Sequence, residues 1–334
     1  MIGIDIGTKY IKFASLDKKG QDFHLRSAIM CPTPPPDSSS KQDVVLSARL
    51  KSIVRDHFQY TKRAAASVGG CQIVARNFEL AALGAEEMEG AVMLEARQSV
   101  SADLNSMYSD FQILANLEKE KKDILFAAVP SQVVDKQVQI VENSGLNIEL
   151  VDIDNLAAAN CYIALDKNVQ SQSVVLLNVG HSFTNIAIID SGALRFIRNV
   201  SFGGSSISAE MAGIYGVPPE AAEELKKRED LWKGIGFSAK NVLRKTMPDL
   251  LEAVYRSMEY CMNRKKILNI DKILITGGTS NLGGIESFIA DALGIVAEKW
   301  NPLDHLAADD ILKRELGGCF SVALGLAVRE WQKS

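Results

Sequence analysis

The sequence predicts an α/β protein of two domains facing each other across a cleft, and three stretches carry that prediction. Residues 1–16 read MIGIDIGTKYIKFASL, an apolar strand, a Gly-Thr turn and a second apolar strand. Residues 174–189 repeat the design around a Gly180, His181, Ser182 turn, and residues 271–294 place a buried strand before Gly277, Gly278 and Thr279 and then a helix-like stretch. A hairpin with a hydroxyl-bearing small-residue turn at the head of each half is an internal repeat, the feature to look for before any single element.

The 334 residues suffice for two domains of ordinary size, here 1–172 and 173–334 with the polar Lys167 to Ser173 between them. Hydrophobic residues at 47% and charged residues at 23% fit a globular chain. A net charge of -4 weighs against an extended nucleic-acid surface. Cys31, Cys71, Cys161, Cys261 and Cys319 lack any C-x-x-C spacing and read as reduced buried thiols, and the four histidines form no metal-ligand cluster. The chain opens on a strand without a signal-like segment or an apolar run of membrane length, so a cytoplasmic protein with no direct membrane insertion is expected.

In the opening hairpin, the turn at Gly7 and Thr8 can bring backbone N–H groups, a hydroxyl and the Lys9 or Lys12 amine around an anion, with Asp5 at the strand end where a hydrated Mg²⁺ could sit. Taken alone, an ordinary edge hairpin explains it as well. A strand over Asp22 to Ile29 precedes the loop CPTPPPDSSS, Cys31 to Ser40. Val44 to Tyr60 is helix-like, with Val45, Leu46, Leu50 and Ile53 on one side, and Ala64 to Gly69 is a short strand.

Residues 71–130 change character and read as a small α/β insertion: a helix over Met88 to Val100, then strands over Met107 to Leu114 and Lys122 to Val129 around a charged turn, Glu118 to Lys122. Ser131 is placed to cap a helix that ends at Gly145. A strand over Ile148 to Ile153 leads into a small-residue helix, Asp154 to Leu165.

After the second hairpin, Gly203 and Gly204 open a helix that stops at Gly216, and Pro218 or Pro219 starts the next. There Glu223 and Lys226 share a face, either to meet a ribose and an adenine edge or as an exposed i,i+3 ion pair. Helix continues to about Lys266, making 205–266 a helical subdomain with Leu251, Val254, Tyr255 and Met258 on its apolar stripe. The glycines at 277 and 278 let a flat ring approach the backbone.

Two glycine hairpins followed by strand-Gly-Gly-Thr form the ordered signature of the actin-like ATPase fold, shared by actin, sugar kinases and FtsA. DIGTKYIKFA, EARQSV, NSGLNIELVDIDNLA, NVGHSFTNIAII, GVPPEAAEELK, ITGGTSNLGGIESFIADALGI, EKWNPL and SVALGLAVR in this order resemble the PilM family of type IV pilus assembly proteins over nearly the whole chain. That resemblance implies two actin-like, ribonuclease H-like domains with ATP or ADP and Mg²⁺ in the cleft. It implies an FtsA-like insertion at about 71–130 and a C-terminal helix packed back on the first domain. The implied partner is the cytoplasmic tail of the inner-membrane protein PilN, held between the insertion and the body of the first domain, with other pilus platform or motor components as further partners. Carried onto matching positions, Gly7, Thr8 and Lys12 hold phosphates from one side and Gly180, Ser182 and Thr184 from the other. Gly203 and Gly204 lie in the FGG segment beside the nucleotide. Glu223, Lys226, Gly277, Gly278 and Ser280 surround the adenosine. Asp5 faces the metal-bound water, and Asp154 orients water, unless it is simply the N-cap of the helix that follows.

The chain departs from the pattern at Asn178, where the second hairpin usually carries an acidic residue, and at His181, where a smaller side chain is expected. Losing one carboxylate near the metal costs turnover more than nucleotide binding. The expectation is therefore an ATP-binding scaffold with weak or absent hydrolysis. The alternatives are a sugar or metabolite kinase of the same superfamily, an FtsA-like membrane-associated filament protein, and a cytoplasmic module like that of the type II secretion protein GspL.

Overall fold

Ile2 and Ile4 point to one side of the first strand and Gly3 to the other, and that period-2 division organises the whole molecule. The structure is a computed structural model and describes residues 1–35, 42–117, 121–228, 238–265, 267–307 and 317–332. Residues 36–40 of the proline-rich stretch expected as a loop and 118–120 of the charged turn lie outside the described residues, while Cys31 and Pro32 still belong to a strand paired with Ile11 and Tyr10, and Lys121 and Lys122 to another.

The first half builds a five-stranded sheet from β1 (Ile2–Ile6), β2 (Tyr10–Lys19), β3 (Asp22–Pro32), β4 (Arg63–Val68) and β8 (Asn147–Ile153), in the order β3-β2-β1-β4-β8. The second half repeats it with β9 (Ser173–Val179), β10 (Thr184–Asp190), β11 (Ala193–Val200), β12 (Lys272–Thr276) and β13 (Ala297–Lys299), in the order β11-β10-β9-β12-β13. In each sheet the leading strand pairs antiparallel with its hairpin partner and parallel with the strand on its other side. The repeat read from two turns thus extends to ten strands.

Between the sheets lie two helices, α4 (Asp154–Leu165) and α10 (Ser321–Val328), whose residues join Ala14, Leu16 and Ala65 of one sheet and Val174, Leu176 and Ala187 of the other in a single core. A helix apolar on all sides belongs in such a place, and every residue of α10 is buried. Its backbone comes close enough that a Cβ on Gly3 would lie 1.9 Å from the Ala323 carbonyl oxygen. Trp300 of the WNPL segment is also buried, edge-on to Tyr162 with ring centroids 5.4 Å apart, and its indole donates to Asp166 at 3.2 Å.

The outer face of the first sheet is covered by α1 (Gln42–His57) and α3 (Ser131–Glu142). That of the second is covered by α5 (Gly204–Tyr215), α7 (Ala239–Thr246), α8 (Pro248–Arg264) and α9 (Ile285–Leu293), with α6 (Pro219–Lys227) beside α5. The insertion is a three-stranded sheet, β5 (Val74–Ala81), β7 (Lys121–Pro130) and β6 (Met107–Leu117) in that order, backed by α2 (Ala85–Ser99). Sequence reading omits β5 because VARNFELA carries Arg76, Asn77 and Glu79 in place of clean alternation. Its antiparallel pairing to β7 makes it a strand.

Several local expectations change. Ser131 is the first helical residue of α3 and makes no cap bond, the N-cap being Pro130. Val45 is 47% exposed and Tyr255 52%, since the buried stripes run through Leu46 and Leu50 and through Leu250, Val254 and Cys261. Cys71 is exposed, within hydrogen-bond distance of the Ser201 hydroxyl at 2.7 Å, and Cys319 is half-buried. Among the described residues, no helix is long and apolar enough to cross a membrane.

Candidate functional site: the inter-sheet cleft

Both hairpins close by the same bond. Gly7 N–H donates to Tyr10 O at 3.1 Å and Gly180 N–H donates to Phe183 O at 2.9 Å, a donor and an acceptor three residues on in each case. A Cβ at either glycine would lie 2.8 or 2.9 Å from that acceptor, so the turns tolerate only hydrogen there. The two turns point at one another, with the Thr8 and Ser182 hydroxyls 3.2 Å apart. They wall a cavity of about 710 Å³, within the size range of small-molecule sites.

Of the residues expected at this site, Asp5, Gly7, Thr8, Lys12, Asp154, Gly180, Ser182, Glu223, Lys226, Gly277 and Gly278 line the cavity. Thr184, Gly203, Gly204 and Ser280 are not among its lining residues. Thr184 is fully buried and donates to Phe202 O at 2.9 Å, and Ser280 donates to Gly277 O at 2.7 Å. Gly203 and Gly204 support the turn from behind, where Gly204 N–H donates to Gly180 O and a Cβ on Gly203 would lie 2.4 Å from His181 O. Gly277 has φ +88° and a Cβ there would meet Val179 O at 2.5 Å. What demands glycine at 277 is the end of β9, rather than a ring.

Sequence reading missed Ser67, Gly69, Asn185, Thr279, Asn281 and Cys319, which also line the cavity. Thr279 was the most accessible of these: it sits in the Gly-Gly-Thr signature and ties that turn to the second hairpin by donating to Gly180 O at 2.8 Å.

Charge in the cleft is distributed unevenly. Lys12 Nζ donates to the buried Asp5 Oδ2 at 2.6 Å. Burial opposes the Lys12 charge, but Asp5 above all, then Cys319 and Asp154, outweigh it and raise its pKa. Glu223 accepts from Lys226, at 2.8 Å, and also from Ser208 and from Lys9 across the cleft. Burial works against its carboxylate, yet these three donors hold its pKa down at about 2. Lys226 is only 9% exposed and donates to Gly204 O as well, so this pair is built into the cleft wall and is no exposed surface pair. Burial lowers the Lys226 pKa, and Lys9 and Lys227 add to that against the pull of Glu223. Two ammonium groups share one carboxylate, which leaves the wall with positive charge for an anion. His181, beside them, is held below its ordinary pKa by burial and by Lys9 and Lys226.

Asp154 begins α4 and makes no cap bond, the N-cap being Ile153, so the capping alternative does not hold. Its carboxylate leaves no room for a side chain at Gly69, where a Cβ would lie 2.1 Å from Oδ2. Burial, then the nearby Asp5, push its pKa up to about 7. An acid with a raised folded pKa holds its proton more tightly folded than unfolded. Its contribution to stability is then full below the ordinary aspartate value, about 4, and is lost as pH rises toward 7. Asp154→Asn is therefore expected to flatten the decline in stability between about pH 4 and 7, read as urea midpoints against pH. An unchanged slope would count against the raised value.

Asn178 stands where Asp5 stands in the first hairpin, two residues before the turn glycine. Its amide donates to Asn185 Oδ1 at 3.0 Å, and Asn185 donates in turn to Asn155 at 3.1 Å and Asn199 at 2.9 Å. The position thus anchors a chain of side-chain amides where a free carboxylate would be unmatched. Among the described residues, no group of three or more His, Cys, Asp or Glu is placed to hold a metal ion.

A family model of the type IV pilus assembly protein PilM matches residues 3–331. Among solved structures, a PilM-PilN type IV pilus biogenesis complex aligns with a TM-score of 0.85 at 21% identity, covering 99% of this chain and 98% of that one. Ethanolamine utilization protein EutJ from Carboxydothermus hydrogenoformans gives 0.56 at 14% identity over 98% and 88% of the chains. MreB5 of Spiroplasma citri bound to ADP gives 0.53 at 12% identity over 99% and 95%. At these identities the likeness is one of fold, and the fold is the actin-like one. Cell division protein FtsA of Escherichia coli K12 is 23% identical over 176 residues, 44% of this chain and 41% of FtsA, so less than half of that protein's length is spanned. The FtsA of Pseudomonas aeruginosa is 23% identical over 237 residues, 65% of this chain and 55% of that protein. With the family model spanning nearly every residue and the paired hairpins in place, the chain belongs to the family of type IV pilus assembly proteins PilM.

Proposed function

We propose that the chain holds ATP or ADP with Mg²⁺ in the inter-sheet cleft, hydrolyses it weakly or not at all, and serves as a scaffold of the pilus platform at the cytoplasmic face of the inner membrane. The observation that carries the nucleotide reading is the pair of like turns whose hydroxyls, Thr8 and Ser182, meet at 3.2 Å over the cavity. Their backbone and hydroxyl donors suit the phosphates. Lys226 and Glu223 suit the polar edge of an adenosine, with Gly277 and Gly278 behind it. MreB5, which shares the fold, is bound to ADP in its solved structure, and that is consistent with a nucleotide here.

Asp5 and Asp154 fit Mg²⁺ by charge: the two carboxylates line one cavity, and the effect of Asp5 on Asp154 is the repulsion that a cation relieves. Bound there through water, Mg²⁺ would neutralise phosphate charge. On the opposite turn Asn178 takes no proton, which leaves Asp154 as the residue to orient a water, and slow turnover follows. Calorimetry with Mg-ADP and Mg-ATP tests the reading. Binding is expected, and Thr8→Ala combined with Ser182→Ala is expected to weaken it about tenfold, both hydroxyls being exposed and dispensable to the fold. Absence of binding, or undiminished binding in the variant, refutes it.

The partner reading rests on the insertion. A PilM-PilN complex of the same fold motivates a PilN-like inner-membrane tail as ligand of this chain. The seam between the insertion and the first domain offers it Tyr108 of β6, 54% exposed. Tyr108 spans that seam, donating to Asp135 Oδ1 of α3 at 3.1 Å. A peptide of such a tail is expected to bind, with Tyr108→Ala weakening it about tenfold. Equal affinities by fluorescence anisotropy would place the tail elsewhere.

A further inference from the structure

A second cavity, of about 620 Å³, lies where the edge strand of the insertion, β5, faces the edge strand of the second sheet, β11. Side-chain amides hold the two edges in place: Asn77 Nδ2 donates to Arg195 O at 3.4 Å, and Asn199 Nδ2 to Gly70 O at 3.1 Å. Arg76 and Arg198 both line the space.

Arg76 donates to Ala75 O at 2.9 Å and Arg198 to Ala253 O at 3.3 Å, and among the described residues neither is paired with a carboxylate. The neighbouring arginines are paired, Arg195 with Asp190 at 3.0 Å and Arg256 with Glu252 at 2.5 Å. Burial, then Arg256 and Arg76, lower the pKa of Arg198, so its charge is held against both desolvation and like-charge repulsion. One wall is aromatic: Phe196 and Tyr260 have ring centroids 5.3 Å apart, and the Arg198 guanidinium lies 5.4 Å from the Phe196 ring.

From the convergence of two carboxylate-free arginines and an aromatic pair on one cavity between two strand edges, we infer that this is a second ligand site, for a small phosphate-bearing molecule with a flat apolar body. The phosphate sits between the forks of Arg76 and Arg198, whose planar donors match its oxygens two at a time. The body lies against Phe196 and Tyr260. The site is separate from the cleft, although Asn155 lines this cavity and is bonded through Asn185 to Asn178, which lines the other.

Phenyl phosphate is the probe, titrated by calorimetry into the full chain. Saturable binding is expected, weakened about tenfold or more by Arg76→Gln and by Arg198→Gln, each of which removes charge-assisted hydrogen bonds. Arg76 is exposed, so its variant keeps the fold and decides the matter even where Arg198→Gln does not. Thr8→Ala with Ser182→Ala in the cleft is expected to leave the affinity unchanged. No saturable binding, full affinity in Arg76→Gln, or loss in the cleft variant instead would overturn the site. Benzoate bound as tightly as phenyl phosphate would overturn the assignment to phosphate.

Discussion

Gly325→Ala is expected to destabilise the chain by about 3 kcal/mol or more, at the upper end of overpacking costs. A Cβ at Gly325 would lie 1.7 Å from the Ala157 carbonyl oxygen and 2.5 Å from its carbon. Both are backbone atoms of α4, so no side-chain rotation relieves the overlap. The helices must separate, and with them the core shared by the two sheets. Gly213→Ala provides the contrast: it lies in α5 with no atom within 4 Å of the new Cβ, and it is expected to gain about 0.5–1 kcal/mol from helix propensity. Denaturant midpoints of the two variants should move in opposite directions. A Gly325→Ala protein as stable as the parent would mean that α4 and α10 do not approach so closely.

Asp123→Asn is expected to cost about 3–5 kcal/mol, the penalty for leaving one partner of a buried ion pair uncompensated. Asp123 on β7 accepts from Lys265 at the end of α8, and the two side chains are 2% and 4% exposed. The pair joins the insertion to the second half of the chain, so hydrogen exchange should rise in β5 to β7 as well as global stability fall. Asp123→Leu with Lys265→Met, which removes both charges and keeps volume, should recover most of the loss. If it does not, the site depends on the charges themselves.

How far the chain is legible without its structure differs from element to element. The helix Asp154–Leu165 and the hairpin turns can be read residue by residue, because small residues, apolar alternation and glycine punctuation act over a few positions. β5 is hidden, since its strand character comes from its partner β7 and not from its own pattern. Thr184 and Ser280 belong to the right motifs but turn inward to backbone carbonyls, a matter of strand register and turn geometry that spacing does not reveal.

Lys9 shows the same limit within the cleft. Its place in a turn suggests an amine near an anion, whereas its contact with Glu223, 214 positions away, exists only because the two sheets face each other. The sequence alone determined the two-fold repeat, the glycines at each turn and the substitution of Asn178 for an acid, because these depend on local backbone geometry and residue chemistry. Tertiary structure alone decided which side chains share a carboxylate, which glycines are held by neighbouring backbone, and that Arg76 and Arg198 line one cavity between two strand edges. Those outcomes depend on burial and on distances between residues far apart in the chain, which no local pattern encodes.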